Sequence, residues 1–175
     1  MKFVSVATLV LGAAVLLAGC QSAAPTSVPQ FRSQASKKEV FTVHRSYRAA
    51  LAGIARGARK CLAVRKKIVI EHASNWHGST WYDDYTPTLH IGRRHSEFRL
   101  QLVTRDAKNR VVGEYSGERL PSNGWYILIA DIDAAGAYRT RITALGDDTN
   151  DNVSSALKYW AQGSSISCPD LAGVN

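Results

Sequence analysis

Between Glu39 and Ala144 apolar and polar positions alternate in short runs, and two longer stretches follow a helical period instead. Glu39-Val40-Phe41-Thr42-Val43-His44 alternates and is β-prone, which predicts a first strand. Ser46 stands where a helix cap is wanted. From Tyr47, the residues Leu51, Ile54, Ala55, Ala58, Cys61 and Leu62 share one side of a helical wheel, and Arg48, Arg56, Arg59 and Lys60 occupy the other. Strands are then expected over 67–72, 86–91, 97–104, 110–118, 125–132 and 138–144. Phe98, Leu100 and Leu102 alternate with Arg99, Gln101 and Val103, the pattern of an antiparallel strand with one covered and one wet face. Lys108-Asn109 and Ser122-Asn123-Gly124 supply turns. Asn150 or Asp151 caps a last helix with Val153, Ala156, Leu157, Trp160 and Ala161 as its apolar stripe, and Gly163 ends it.

Strand, helix, a run of antiparallel strands, then helix predicts an α+β domain: an antiparallel β-sheet with two helices packed on one face, β-α-β(n)-α. Residues 21–38 (QSAAPTSVPQFRSQASKK) show no apolar period and are rich in Ser, Ala, Gln and Pro. They are expected to be a flexible linker, with the folded domain spanning 39–175.

The amino terminus obeys a different rule. Lys2 precedes an uncharged run from Phe3 to Leu17, then Leu17-Ala18-Gly19-Cys20, and Gln21 turns polar. A run of about 15 residues is short for a ~30 Å hydrocarbon core. The order is that of a secretory signal over residues 1–19. LAGC at its end resembles the lipobox of bacterial lipoproteins. That resemblance implies lipidation of the Cys20 thiol, cleavage before it and acylation of the new amine. Two or more acyl chains give stable anchoring where one binds reversibly. Gln21 is not the aspartate that favours inner-membrane retention in enteric-type lipoproteins, so the resemblance implies the outer membrane, with the domain in the periplasm.

Setting Cys20 aside leaves Cys61 and Cys168, an even pair in an exported chain. An oxidising compartment makes a disulfide between them the expected state. Cys61 falls on the buried side of the first helix, where a bridge is wanted. The element order is similar to the helix-grip domains found in lipoprotein C of the β-barrel assembly machine. The ending KYWAQGSSISCP also resembles that of many small proteobacterial lipoproteins. Neither likeness implies an activity, and fold does not fix function.

Net charge is +8, and its excess is local. Arg56 to Lys67 (RGARKCLAVRKK) carries Arg56, Arg59, Lys60, Arg65, Lys66 and Lys67 without one acid. Such a stretch suits anionic lipid head groups, acidic glycans or an acidic protein; equally, charge runs keep helix faces solvated. The expected export disfavours nucleic acid, so no nucleic-acid partner is expected. A second candidate is Asn75 to Tyr85 (NWHGSTWYDDY), expected as a polar loop. Its Trp76, Trp81, Tyr82 and Tyr85 suit stacking on sugars or anchoring a protein, or else folding back over the sheet.

His72, His77, His90 and His95 lack metal-ligand spacing, and no cofactor is expected. No nucleophile elbow, phosphate loop or dinucleotide turn occurs. Asp83-Asp84 and Asp131/Asp133 are carboxylate pairs without a recognisable partner, so the expectation is not an enzyme. What remains is a membrane-held binding or assembly module. Its alternatives are a peptidoglycan- or glycan-binding lipoprotein and a component of a secretion or envelope complex.

Overall fold

In the computed structural model, residues 24–70, 79–115 and 118–171 are described. The elements run α1 (Val28–Gln34), β1 (Lys37–Val43), α2 (Tyr47–Cys61), β2 (Arg65–Ile70), β3 (Ser79–Ile91), β4 (His95–Asp106), β5 (Glu114–Tyr115), β6 (Glu118–Arg119), β7 (Trp125–Ala134), β8 (Thr140–Gly146) and α3 (Asp151–Gln162). A short 3-10 turn, Asp148–Asn150, leads into α3. Six strands form one antiparallel sheet in the order β1-β8-β7-β4-β3-β2, and β5 and β6 pair as a separate two-residue ribbon. The fold is α+β, as the alternation predicts.

Period-2 patterning sorts the two faces. Phe98, Leu100 and Leu102 on β4 are buried, as are Leu128, Ala130 and Ile132 on the neighbouring β7 and Ile142 and Ala144 on β8. Against this face lie α2 and α3. Ser46 caps α2 through its hydroxyl, which accepts from the Ala49 amide. Gly53 and Gly57 let α3 approach closely: a Cβ at Gly57 would stand 2.1 Å from the Trp160 ring, and one at Gly53 2.0 Å from the Trp160 carbonyl oxygen. Trp160 is fully buried and donates its ring N–H to the Ser167 carbonyl at 3.1 Å. Gly163 ends α3 at φ +79°, a left-handed conformation that glycine adopts without Cβ strain.

Cys61 and Cys168 are bridged, with Cα atoms 5.0 Å apart and a sequence separation of 107. The bond joins the last residue of α2 to the segment after α3. Closing a loop of about 100 residues stabilises by up to ~4.7 kcal/mol in the chain-entropy picture.

Three expectations need correction. The stretch 21–38 is not wholly a linker: α1 occupies part of it, and β1 begins at Lys37 rather than Glu39. The composition hides two contacts that hold α1. Phe31 is buried with its ring edge-on to Tyr126, and Arg32 donates to both oxygens of Asp131, at 2.7 and 2.6 Å, and to Glu97 at 2.7 Å. Glu97 and Asp131 point away from α2 and α3, so α1 is a third helix on the opposite face of the sheet. Second, among the described residues of the strand expected over 110–118, pairing is limited to a single bridge at Val111, the two residues of β5 and Glu118 of β6. The Lys108-Asn109 turn is present, with Asn109 at φ +64° and Asp106 holding it through the Lys108 and Arg110 amides. Third, β3 begins at Ser79, inside the stretch read as a loop.

Candidate functional site

The two predicted patches fare differently. Arg48, Arg56, Arg59 and Lys60 all lie on the exposed side of α2, opposite Ala50, Leu51, Ile54, Ala58 and Cys61 in the core. Positions 48, 56 and 59/60 follow the helical repeat, so the cations form a stripe along the outward face. None of these four makes an ion pair among the described residues. They are solvated and available.

The second half of the basic run is spent differently. Arg65, on the edge strand β2, is directly opposite Asp84 on β3 and donates to its two oxygens at 2.5 and 2.9 Å. It also donates to Asn109 and stacks its guanidinium 5.7 Å from the Tyr82 ring centroid. Arg105 donates to the same Asp84 at 2.8 Å. The first of these bonds, Arg65 to Asp84, does most to hold the Asp84 carboxyl below its ordinary range; Arg105 adds to it against the cost of burial. Lys66 is half-buried opposite Asp83, and Lys67 is exposed. Lysines on an edge strand discourage pairing with another sheet, so part of this run serves the fold.

The aromatic stretch is mostly structural. Tyr85 is a core residue, and burial pushes its hydroxyl pKa well up. Trp81 and Tyr82 are half-buried on β3, opposite Ile68 and Lys67 of β2. Trp76 lies outside the described residues, as do His72 and His77, so the expected loop keeps none of its described aromatics. A strand ran where a loop was expected because Trp81, Asp83 and Tyr85 alternate with Tyr82, Asp84 and Thr86, and the two aspartates masked the alternation. Asp83 is buried and accepts from the Thr104 hydroxyl at 2.7 Å; burial raises its carboxyl above the ordinary range.

The carboxylate pairs do have partners. Asp84 is clamped by two arginines, Asp131 by Arg32, and Asp133 lies 2.8 Å from Nδ1 of His95. Arginines answer Asp84 and Asp131, and an imidazole lies beside Asp133, an arrangement that holds elements together. Among the described residues no group of three or more His, Cys, Asp or Glu side chains could hold a metal ion, and no helix is long and apolar enough to cross a membrane. Cys20 lies outside the described residues.

A second group of cations is invisible as a cluster in the linear sequence. Arg45, Arg93, Arg94, Arg139 and Arg141 come from three separate acid-free stretches, HRSYR at 44–48, IGRRH at 91–95 and AGAYRTR at 135–141. Antiparallel pairing brings them to one end of the sheet. The missing acids are the only signal the sequence carries for them.

No protein-family model, curated protein or solved structure matches this chain. The site must therefore be read from its own chemistry.

Proposed function

We propose that this chain is a non-enzymatic envelope lipoprotein, held on the outer membrane by lipid on Cys20, that binds an anionic envelope partner through the exposed face of α2. The observation that supports this most is the stripe of Arg48, Arg56, Arg59 and Lys60, exposed and without ion pairs among the described residues. Charges left unpaired on a rigid helix keep their potential for a partner and steer its approach. The aromatic half of the expected surface is narrowed to Trp81, Tyr82 and the undescribed Trp76, which weighs against a glycan platform. The order of n-region, apolar run and LAGC supports the anchor.

The test is a crosslinked pull-down of the lipidated chain from its own envelope, beside a Cys20→Ala form. A partner recovered with the lipidated chain, and lost when Arg56, Arg59 and Lys60 are all changed to Ala, is the expected result. Recovery that is unchanged by those three substitutions removes α2 from the binding surface. Intact mass of the mature chain, with a diacylglyceryl adduct and no residues 1–19, checks the anchor.

A further inference from the structure

The sheet has two unlike ends. The chain enters at one of them, the base: the Pro25 carbonyl accepts from the Tyr126 amide at 2.9 Å, at the start of β7. The other end, the apex, lies the length of β7 away, roughly 30 Å at about 3.3 Å per residue. Val43, Thr140, Ala134, His95 and Ile91 mark it, since these residues sit at the paired ends of their strands.

Three loops meet at the apex and are tied to one another. Thr140 donates its hydroxyl to the Arg45 carbonyl at 3.0 Å, and the Ala134 amide donates to the Arg94 carbonyl at 2.8 Å. The Tyr47 hydroxyl reaches the Gly92 carbonyl at 3.0 Å and lies 2.6 Å from the Ser96 hydroxyl. These bonds fix Arg45, Arg48, Arg93, Arg94, Arg139 and Arg141 around one rim. All but Arg45 are exposed, and none of the six makes an ion pair among the described residues. Arg45 lies against Gly163 at the carboxyl end of α3, with its Nη1 buried and unpartnered, so it adds charge from beneath.

Charge is only half of this surface. Ile91 is 71% exposed and Tyr138 79% exposed at the same end. Ile91 also lines a groove of roughly 340 Å³, together with Tyr47, Arg48, Leu51, Gly92 and Arg93. Single exposed apolar residues need no explanation, but an apolar groove lined also by two unpaired arginines is a combination with a use. A phosphate or sugar surface would meet the arginines and leave Ile91 and the groove wet. An acidic protein segment carrying an apolar side chain satisfies both, because its carboxylates match the guanidinium fork and its apolar group fills the groove.

We infer that the apex is a docking surface for an acidic protein segment with an apolar anchor, reached on the side of the domain turned away from the chain's entry point. This goes beyond the α2 surface, shares only Arg48 with it, and does not depend on the lipid.

The test uses the full chain in detergent and three probes: a glutamate-rich peptide with a central phenylalanine, the same peptide with alanine in its place, and phosphatidylglycerol vesicles. The phenylalanine peptide should bind more tightly than the alanine peptide, and the preference should disappear in Ile91→Ser. Changing Arg93 and Arg94 together to Ala should weaken it about tenfold at low salt, the size expected for losing close charge pairs. Arg139→Ala should weaken it less, and Lys108→Ala at the base not at all. Equal binding of the two peptides, or vesicles bound as tightly through the same arginines, overturns the inference. Peptide binding that survives at the apex variants and is lost when Arg56, Arg59 and Lys60 are neutralised also overturns it, while leaving the α2 reading standing. Far-UV circular dichroism of each variant shows that the domain is intact.

Discussion

Arginine does two different jobs at the two ends of this sheet. At the base, Arg65 and Arg105 converge on Asp84, Arg110 reaches Asp106 at 2.7 Å within its own turn, and Lys37 pairs with Asp151 at the start of α3. At the apex, Arg93, Arg94 and Arg139 stand in loops, Arg48 at the start of α2 and Arg141 at the start of β8 opposite Asp133, and none of them makes an ion pair among the described residues. The same residue type thus closes the fold at one end and leaves charge unspent at the other. Net charge cannot reveal this, because a paired and an unpaired arginine count alike. Partner geometry can.

The largest expected effect tests how far either end depends on the helix layer that spans them. Replacing Cys61 and Cys168 together by Ala should cost about 2–5 kcal/mol in chemical denaturation. A cost near zero would mean that Trp160 and the α2–α3 contact hold that layer without the bridge.

Acid should act next, and locally, on the face that α1 covers. Burial pushes the Glu97 carboxyl up, but hydrogen bonds from Arg32 and Arg99 outweigh it and leave it below its ordinary range. A depressed folded pKa contributes stability above the unfolded value, about 4.3 for Glu, and that stability is lost as pH falls through the folded value. Protease cleavage within 24–36 should therefore accelerate as pH drops below about 4, and Glu97→Gln should bring the acceleration to neutral pH. Cleavage insensitive to both would show that Phe31 and the Arg32–Asp131 pair hold α1 without Glu97.

Paired and unpaired arginines can then be compared directly. Asp84→Ala removes the shared partner of Arg65 and Arg105 and should cost about 1 kcal/mol, with the loss shrinking in high salt. Arg93→Ala with Arg94→Ala should change thermal stability by less than about 0.5 kcal/mol, the usual range for surface changes away from any contact. Equal costs at both ends would erase the distinction.

Asp83 offers the smallest and oppositely signed effect. Its raised pKa means that its ionisation opposes folding as pH rises through the folded value. Asp83→Asn keeps an acceptor for Thr104 and should raise the melting temperature slightly at neutral pH, with the gain vanishing in acid. A loss at neutral pH would show that Lys66 needs the charge.

Much of this architecture was legible in residue patterns. The alternation of Phe98, Leu100 and Leu102, the wheel of Leu51, Ile54, Ala58 and Cys61, and the stripe ending in Trp160 each specify an element and its buried face, because side-chain period is a local property. Parity, with the expectation of export, was enough to pair Cys61 with Cys168. The site was legible only where it is contiguous in sequence, along α2.

Other features depend on contacts between distant residues. Nothing near Arg32 in sequence announces Asp131 or Glu97, so α1 reads as linker until the sheet presents both carboxylates on one face. Trp81 and Tyr85 read as loop aromatics because Asp83 looks too polar for a core, yet Thr104 on the neighbouring strand gives it a hydrogen-bond partner. Composition and period determined the elements, their buried faces and the overall charge. Only tertiary structure decided which charges were neutralised, because that depends on which strands become neighbours, and so gathered the arginines of three separate stretches into one apex.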